Sequence, residues 1–194
     1  MFIEPHHTGK KGWIEVVCGC MFSGKTEELI RRMKRAHIAN QRIEIFKSQV
    51  DSRYDKDDII SHDASRIQAT AVSNAYNILL MAADVDVVGV DEAQFFDDDI
   101  IEVIEELTRQ RKRVIVAGLD MDFTGRPFGP MPALLARAEY ITKLHAICVC
   151  CGDIASYSYR KAKIDDKILL GEKDVYEPRC RSCFYKLKTS AVKQ

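Results

Sequence analysis

The chain has 194 residues, with 46% apolar and 30% charged side chains, which suits one well-cored globular domain or a domain with a small appendage. Its 29 Lys and Arg balance 29 Asp and Glu, so no net field draws it toward nucleic acid or an anionic membrane. The opening residues, MFIEPHHTGKKGW, lack the apolar core of a signal peptide, and no later run is long enough to span a bilayer; the expected location is the cytoplasm.

In chain order, WIEVVC (13–18) reads as a buried strand. It runs into GCMFSGKT (19–26), a full match to the phosphate-cradling pattern G-x-x-x-x-G-K-[ST]. Leu29, Ile30, Met33 and Ala36 then form one apolar stripe at helical spacing over residues 25–39. Strand, glycine loop and helix aim a helix N-terminus at an anion. The pattern assigns a nucleoside triphosphate to Gly19, Cys20, Met21, Phe22, Ser23, Gly24, Lys25 and Thr26. Main-chain N–H groups wrap the phosphates, Lys25 neutralises them, and the Thr26 hydroxyl binds Mg²⁺.

A second strand follows at RIEIF (42–46). Residues 48–66 are polar and charged without a convincing period, and read as a mobile loop. VDVVGVD (85–91) is another buried strand, and its end carries Asp91 and Glu92. Acidic residues at the carboxyl end of a strand, downstream of a phosphate loop, are placed to hold the nucleotide's Mg²⁺ through Asp91 and to leave Glu92 as general base. Spacing does not say whether the base serves water or a substrate hydroxyl. In residues 97–110, Ile100, Val103, Ile104 and Leu107 repeat at helical spacing behind three aspartates. RVIVAGL (113–119) and the shorter YITKL (140–144) complete the set of strands. Continuous Val/Ile runs separated by amphipathic helices predict an α/β fold, a parallel sheet covered on both faces.

From Cys148 the pattern changes to short strands, basic residues and paired cysteines, with no helical stripe. The expected division is a nucleotide-binding domain over 1–146 and a small metal-binding domain over 147–194. Cys148 with Cys151, and Cys180 with Cys183, form two C-x-x-C pairs, a donor set suited to tetrahedral structural Zn²⁺. Cys150 lies inside the first pair and could replace either member. Cys18 and Cys20, beside the phosphate loop, read as small apolar fillers. Residues 152–179 separate the pairs, more than the ~15–20 of a minimal ribbon, so the metal clamps a loop around 156–176.

Taken together, the chain resembles the cytosolic-type (type II) thymidine kinases nearly end to end. The matching segments are MFSGKTEEL (21–29), DSRY (51–54), SHD (61–63), DEAQFF (91–96), GLDMDFTGRPFG (118–129) and the bracketing cysteine pairs. The resemblance implies a RecA-like core with a zinc-bearing lasso, and transfer of the ATP γ-phosphoryl group to the 5′-hydroxyl of thymidine. It implies Glu92 as base, with Lys25, Thr26, Asp91 and Gln94 at the nucleotide. It sets Arg53 and Asp51 near the phosphates and active centre. It lines the thymidine side with Met21, Leu119, Phe123, Ser158, Leu169, Gly171 and Tyr176. Tetramers and feedback inhibition by dTTP are implied as well. Thr124 departs from the arginine of many bacterial members, and Ser158 and Tyr159 also depart from the pattern at the lasso base. A rival reading is a nucleic-acid-dependent ATPase, because DEAQ resembles a helicase motif and zinc ribbons bind DNA. The chain length and its neutral charge count against that reading.

Overall fold

Residues 11–49, 58–60, 66–161 and 175–191 are described in the computed structural model. The elements run in the order β1 (Trp13–Gly19), α1 (Lys25–Ile38), β2 (Ile43–Ser48), β3 (Asp58–Ile60), β4 (Arg66–Gln68), β5 (Thr70–Val72), α2 (Tyr76–Met81) and β6 (Val87–Asp91). After a single 3₁₀ turn at Ala93–Phe95 come α3 (Asp99–Arg109), β7 (Arg113–Gly118), α4 (Met131–Arg137) and β8 (Tyr140–Leu144). Four short strands, β9 (Ala146–Ile147), β10 (Ile154–Ala155), β11 (Tyr157–Arg160) and β12 (Tyr176–Arg179), precede α5 (Arg181–Ala191).

Six strands pair in the order β5-β2-β6-β7-β1-β8, every neighbour parallel. The register lines up Phe46, Val90, Val116, Val16 and Ile141 as one row across five strands. Side chains alternate between the two faces of such a sheet, and both faces are covered. Leu29, Ile30, Met33 and Ala36 of α1 pack on Val17, Ile45, Val87, Ile115 and Ala117. Ile100, Val103, Ile104 and Leu107 of α3, with Ile78, Met131 and Leu134, pack on Val16, Phe46, Val88, Val90, Val114 and Val116. Both apolar stripes read from the sequence therefore meet the sheet, from opposite sides.

Some strand positions depart from the apolar rule, Glu15 most completely. Glu15 in β1 is fully buried, and it is held by Arg32 of α1 at 2.8 Å and Arg113 of β7 at 2.6 Å. Trp13 Nε1 donates to the same carboxylate, and Arg32 also donates to Thr142 Oγ1 of β8. Four elements are thus tied by one charged knot beneath α1, the helix that carries Lys25 and Thr26.

The structure corrects two expectations. Part of the 48–66 stretch is regular: β3 and β4 pair antiparallel, with Ile59 opposite Ile67. Local charge hid these strands because their order comes from pairing. A helix, α5, also follows Cys180 where no helical stripe was seen. It buries Phe184, which stacks on Tyr157 with ring centroids 4.5 Å apart, so the helix needs no broad apolar face.

Candidate functional site

At the carboxyl end of β1 the chain passes so close to β8 that a Cβ on Gly19 would lie 2.3 Å from the Leu144 carbonyl oxygen. Only glycine fits there. The turn then carries Phe22 at φ 64° and Gly24 at φ 86° before α1 begins at Lys25. The first N–H groups of α1 lack intrahelical acceptors and face the loop, the arrangement that receives an anion. Lys25 is buried, and its Nζ donates to the Cys20 carbonyl at 3.0 Å, which holds the ammonium over the turn.

β7 lies between β1 and β6, yet the two ends of the site meet: Thr26 Oγ1 donates to Asp91 Oδ2 at 3.2 Å. A hydroxyl and a carboxylate at this distance can share a divalent cation. Asp91 Oδ1 accepts the Glu92 N–H at 3.0 Å, and Glu92 itself sits in the left-handed region at φ 50°. That conformation costs a non-glycine residue of order 1–3 kcal/mol and persists where its surroundings over-determine it. The constraint is visible in Gln94, whose Nε2 donates to the Glu92 carboxylate while its Oε1 accepts the Leu119 N–H at 2.9 Å. Gln94 is buried and spans β6 and β7, so it orients Glu92.

Residues 119–129 follow β7, and Leu119 N–H donates to Gln94 Oε1. Asp122 caps a tight turn, accepting from Thr124 N–H at 2.8 Å and Thr124 Oγ1 at 2.6 Å. Phe123 faces Arg160 of β11, whose guanidinium carbon lies 3.6 Å from the ring centroid. Arg160 also donates to the Tyr176 hydroxyl, at 2.7 Å from Nη2. Phe123 and Tyr176 are therefore brought together by a buried arginine that the sequence reading missed. Its signal was the alternation in YSYR, where an inward-facing arginine implies aromatic or acidic company. Asp120 was missed as well. It is buried, paired with Lys143 at 2.6 Å, and its Oδ1 has no hydrogen-bond partner among the described residues.

The Sγ atoms of Cys148, Cys151, Cys180 and Cys183 all lie within 4.8 Å of one another. Cys151 stands 3.6 Å from both Cys180 and Cys183. Tetrahedral zinc with bonds of ~2.3 Å separates its sulfurs by about 3.8 Å, so the four thiols fit structural zinc. Cys150 is exposed and falls outside this group. Burial opposes ionisation of Cys148, but backbone N–H donors from residues 180, 150 and 151 bring its thiol down to about 6. Cys18 behaves as a filler: burial and the nearby Asp120 push it up to about 11. Burial raises Cys20 too.

Of the remaining expected residues, Met21 donates its N–H to Ser158 Oγ at 3.0 Å, and Leu119 is buried beside Gln94. Asp51, Arg53, Leu169 and Gly171 lie outside the described residues.

Comparison with known proteins adds an independent finding. Residues 12–184 match the family model described as thymidine kinase. A protein of Bacteroides thetaiotaomicron named thymidine kinase is 55% identical over 190 residues, 97% of this chain and 96% of that one. A thymidine kinase of Bacteroides fragilis is 56% identical over 95% of this chain and 94% of its own length. One of Porphyromonas gingivalis is 55% identical over 95% and 91% respectively.

Proposed function

The chain belongs to the thymidine kinase family, and from that premise we propose that it transfers the γ-phosphoryl group of ATP to the 5′-hydroxyl of thymidine, giving dTMP, with Glu92 as general base. The observation that most supports this mechanism is the junction of Thr26 with Asp91, one residue from a Glu92 held in a strained, oriented conformation.

Phosphoryl transfer asks for positioning and charge stabilisation more than for covalent chemistry. In this reading the loop 19–26 holds the triphosphate, Lys25 turns its ammonium from the Cys20 carbonyl to the phosphates, and Thr26 and Asp91 hold Mg²⁺. Held there, Mg²⁺ would supply charge neutralisation for the transferring phosphoryl group. Glu92 accepts the proton of the sugar hydroxyl, and Gln94 keeps its carboxylate aimed at that hydroxyl. Arg53 and Asp51 belong near the phosphates and active centre. Met21, Leu119, Phe123 and Tyr176 form the thymidine side with Leu169 and Gly171, and the segment clamped by zinc excludes water, which suppresses wasted ATP hydrolysis. A cytoplasmic homotetramer inhibited by dTTP completes the proposal. No helix among the described residues is long and apolar enough to cross a membrane.

The deciding experiment is a panel of nucleosides with Mg-ATP, scored for 5′-monophosphate. Thymidine should be converted fastest. ATP turnover that ignores nucleosides but rises with single-stranded DNA would sink the proposal.

A further inference from the structure

Three consecutive residues of the loop 19–26, Cys20, Met21 and Phe22, contact the cysteine-rich module. Cys20 Sγ donates to the Ala155 carbonyl at 3.3 Å, and both residues are buried. The Met21 N–H donates to Ser158 Oγ at 3.0 Å, and Ser158 is 4% exposed. Phe22 packs against a small core made of Cys20, Ala146, Cys148, Ala155 and Cys180, beside Cys183. Three of the four thiols that fit the metal thus belong to the wall behind the loop.

We propose that this module is a positioning device for the phosphate loop: the metal fixes residues 146–158, these fix residues 20–22, and Ser158 thereby sets affinity for the triphosphate.

The physical case starts from Phe22. A non-glycine residue at φ 64° is strained and needs neighbours that leave it no alternative. The neighbours in contact are cysteines and alanines whose own core is too small to hold its shape by apolar burial. A four-thiolate metal site supplies the missing rigidity. Strain stored at Phe22 is released if the wall relaxes. The loop then loses the geometry that presents its N–H groups, and Lys25 loses the Cys20 carbonyl as its resting acceptor. Ser158 is a positioning residue here, since its hydroxyl acts through the Met21 amide. The inference rests on residues 19–26 being the phosphate loop.

The test is equilibrium binding of a non-hydrolysable Mg-ATP analogue to the full chain, alongside thymidine binding and circular dichroism. Removing zinc with a chelator should weaken the analogue about tenfold while the sheet stays folded, and added Zn²⁺ should restore it. Coupling is reciprocal, so saturating analogue should protect the zinc from a chromogenic chelator by the same factor. Ser158→Ala should weaken the analogue about fivefold with zinc content unchanged, and Ser158→Thr should recover it, because threonine keeps the acceptor hydroxyl. Lys25→Ala tests the underlying loop reading separately by abolishing analogue binding. If Lys25→Ala abolishes binding but zinc removal and Ser158→Ala change it less than twofold, the coupling is wrong and the loop reading stands. If Lys25→Ala still binds the analogue normally, both fall.

Discussion

The parallel sheet and the cysteine-rich module are ordered by different forces. In the sheet, a row of Phe46, Val90, Val116 and Val16 runs through the centre, and helices bury both faces. Among the described residues of 146–184, Ala146, Cys148, Ala155 and Cys180 form a small apolar cluster that Cys20 of the loop joins. What holds that region is four clustered thiols and an aromatic and cationic lattice. Arg179 sits over Tyr159 at 3.6 Å, Arg160 over Phe123 at 3.6 Å, and Tyr157 stacks on Phe184. Apolar burial needs area, which a long chain supplies; a short segment substitutes strong directional contacts. The catalytic apparatus proposed for this family member lies along the seam between the two.

The contrast can be broken most directly through the metal. Structural zinc contributes on the order of 10 kcal/mol in small domains. Its removal, or Cys180→Ser, should strip amide-exchange protection from β9 to β12 while β1, β6 and β7 keep theirs. Elemental analysis should find about one zinc per chain in the parent protein and far less in the variant. One shared cooperative transition for both regions would mean they are not separately ordered.

Next in size is the division of labour within the sheet. Glu92→Gln should lower kcat for thymidine phosphorylation by about 10²–10⁴ and leave the melting temperature within a few degrees of the parent, because only the proton acceptor is lost. A rate within tenfold of the parent would remove Glu92 from the base role.

Stability of the sheet has its own weak point. Glu15→Ala leaves Arg32 and Arg113 buried without their shared carboxylate, and urea unfolding should show a loss of about 3–5 kcal/mol. A loss below 1 kcal/mol would show that the knot is not needed. The smallest change is Arg160→Met, which keeps bulk but removes the guanidinium between Phe123 and Tyr176. It should cost about 1–2 kcal/mol in the module and raise KM for thymidine more than KM for ATP.

Much of this was legible beforehand because its causes are local. The stripes of Leu29, Ile30, Met33 and Ala36 and of Ile100, Val103, Ile104 and Leu107 state their burial directly, since helical spacing alone brings them to one face. The loop at 19–26 and the cysteine pairs could also be read, because phosphate and zinc impose fixed spacings. What stayed hidden depends on long-range pairing. Glu15 meets Arg113 across 98 positions, and Met21 meets Ser158 across 137. Nothing near Glu15 in WIEVVC distinguishes a buried ion knot from an edge position. The resemblance places Gln94 at the nucleotide; the link its amide makes from Glu92 to the Leu119 main chain is visible only once β6 and β7 are adjacent.

The placement of β7 between β1 and β6 has a consequence for how such a molecule changes over generations. Whatever leaves the carboxyl end of β7 must emerge between the phosphate turn and the acidic strand end, so topology alone brings residues 119–129 beside both. In the proposed reaction, drift in that stretch would retune which alcohol is accepted while the donor-handling parts stay untouched. The scaffold thereby separates an inherited engine from an adjustable mouth.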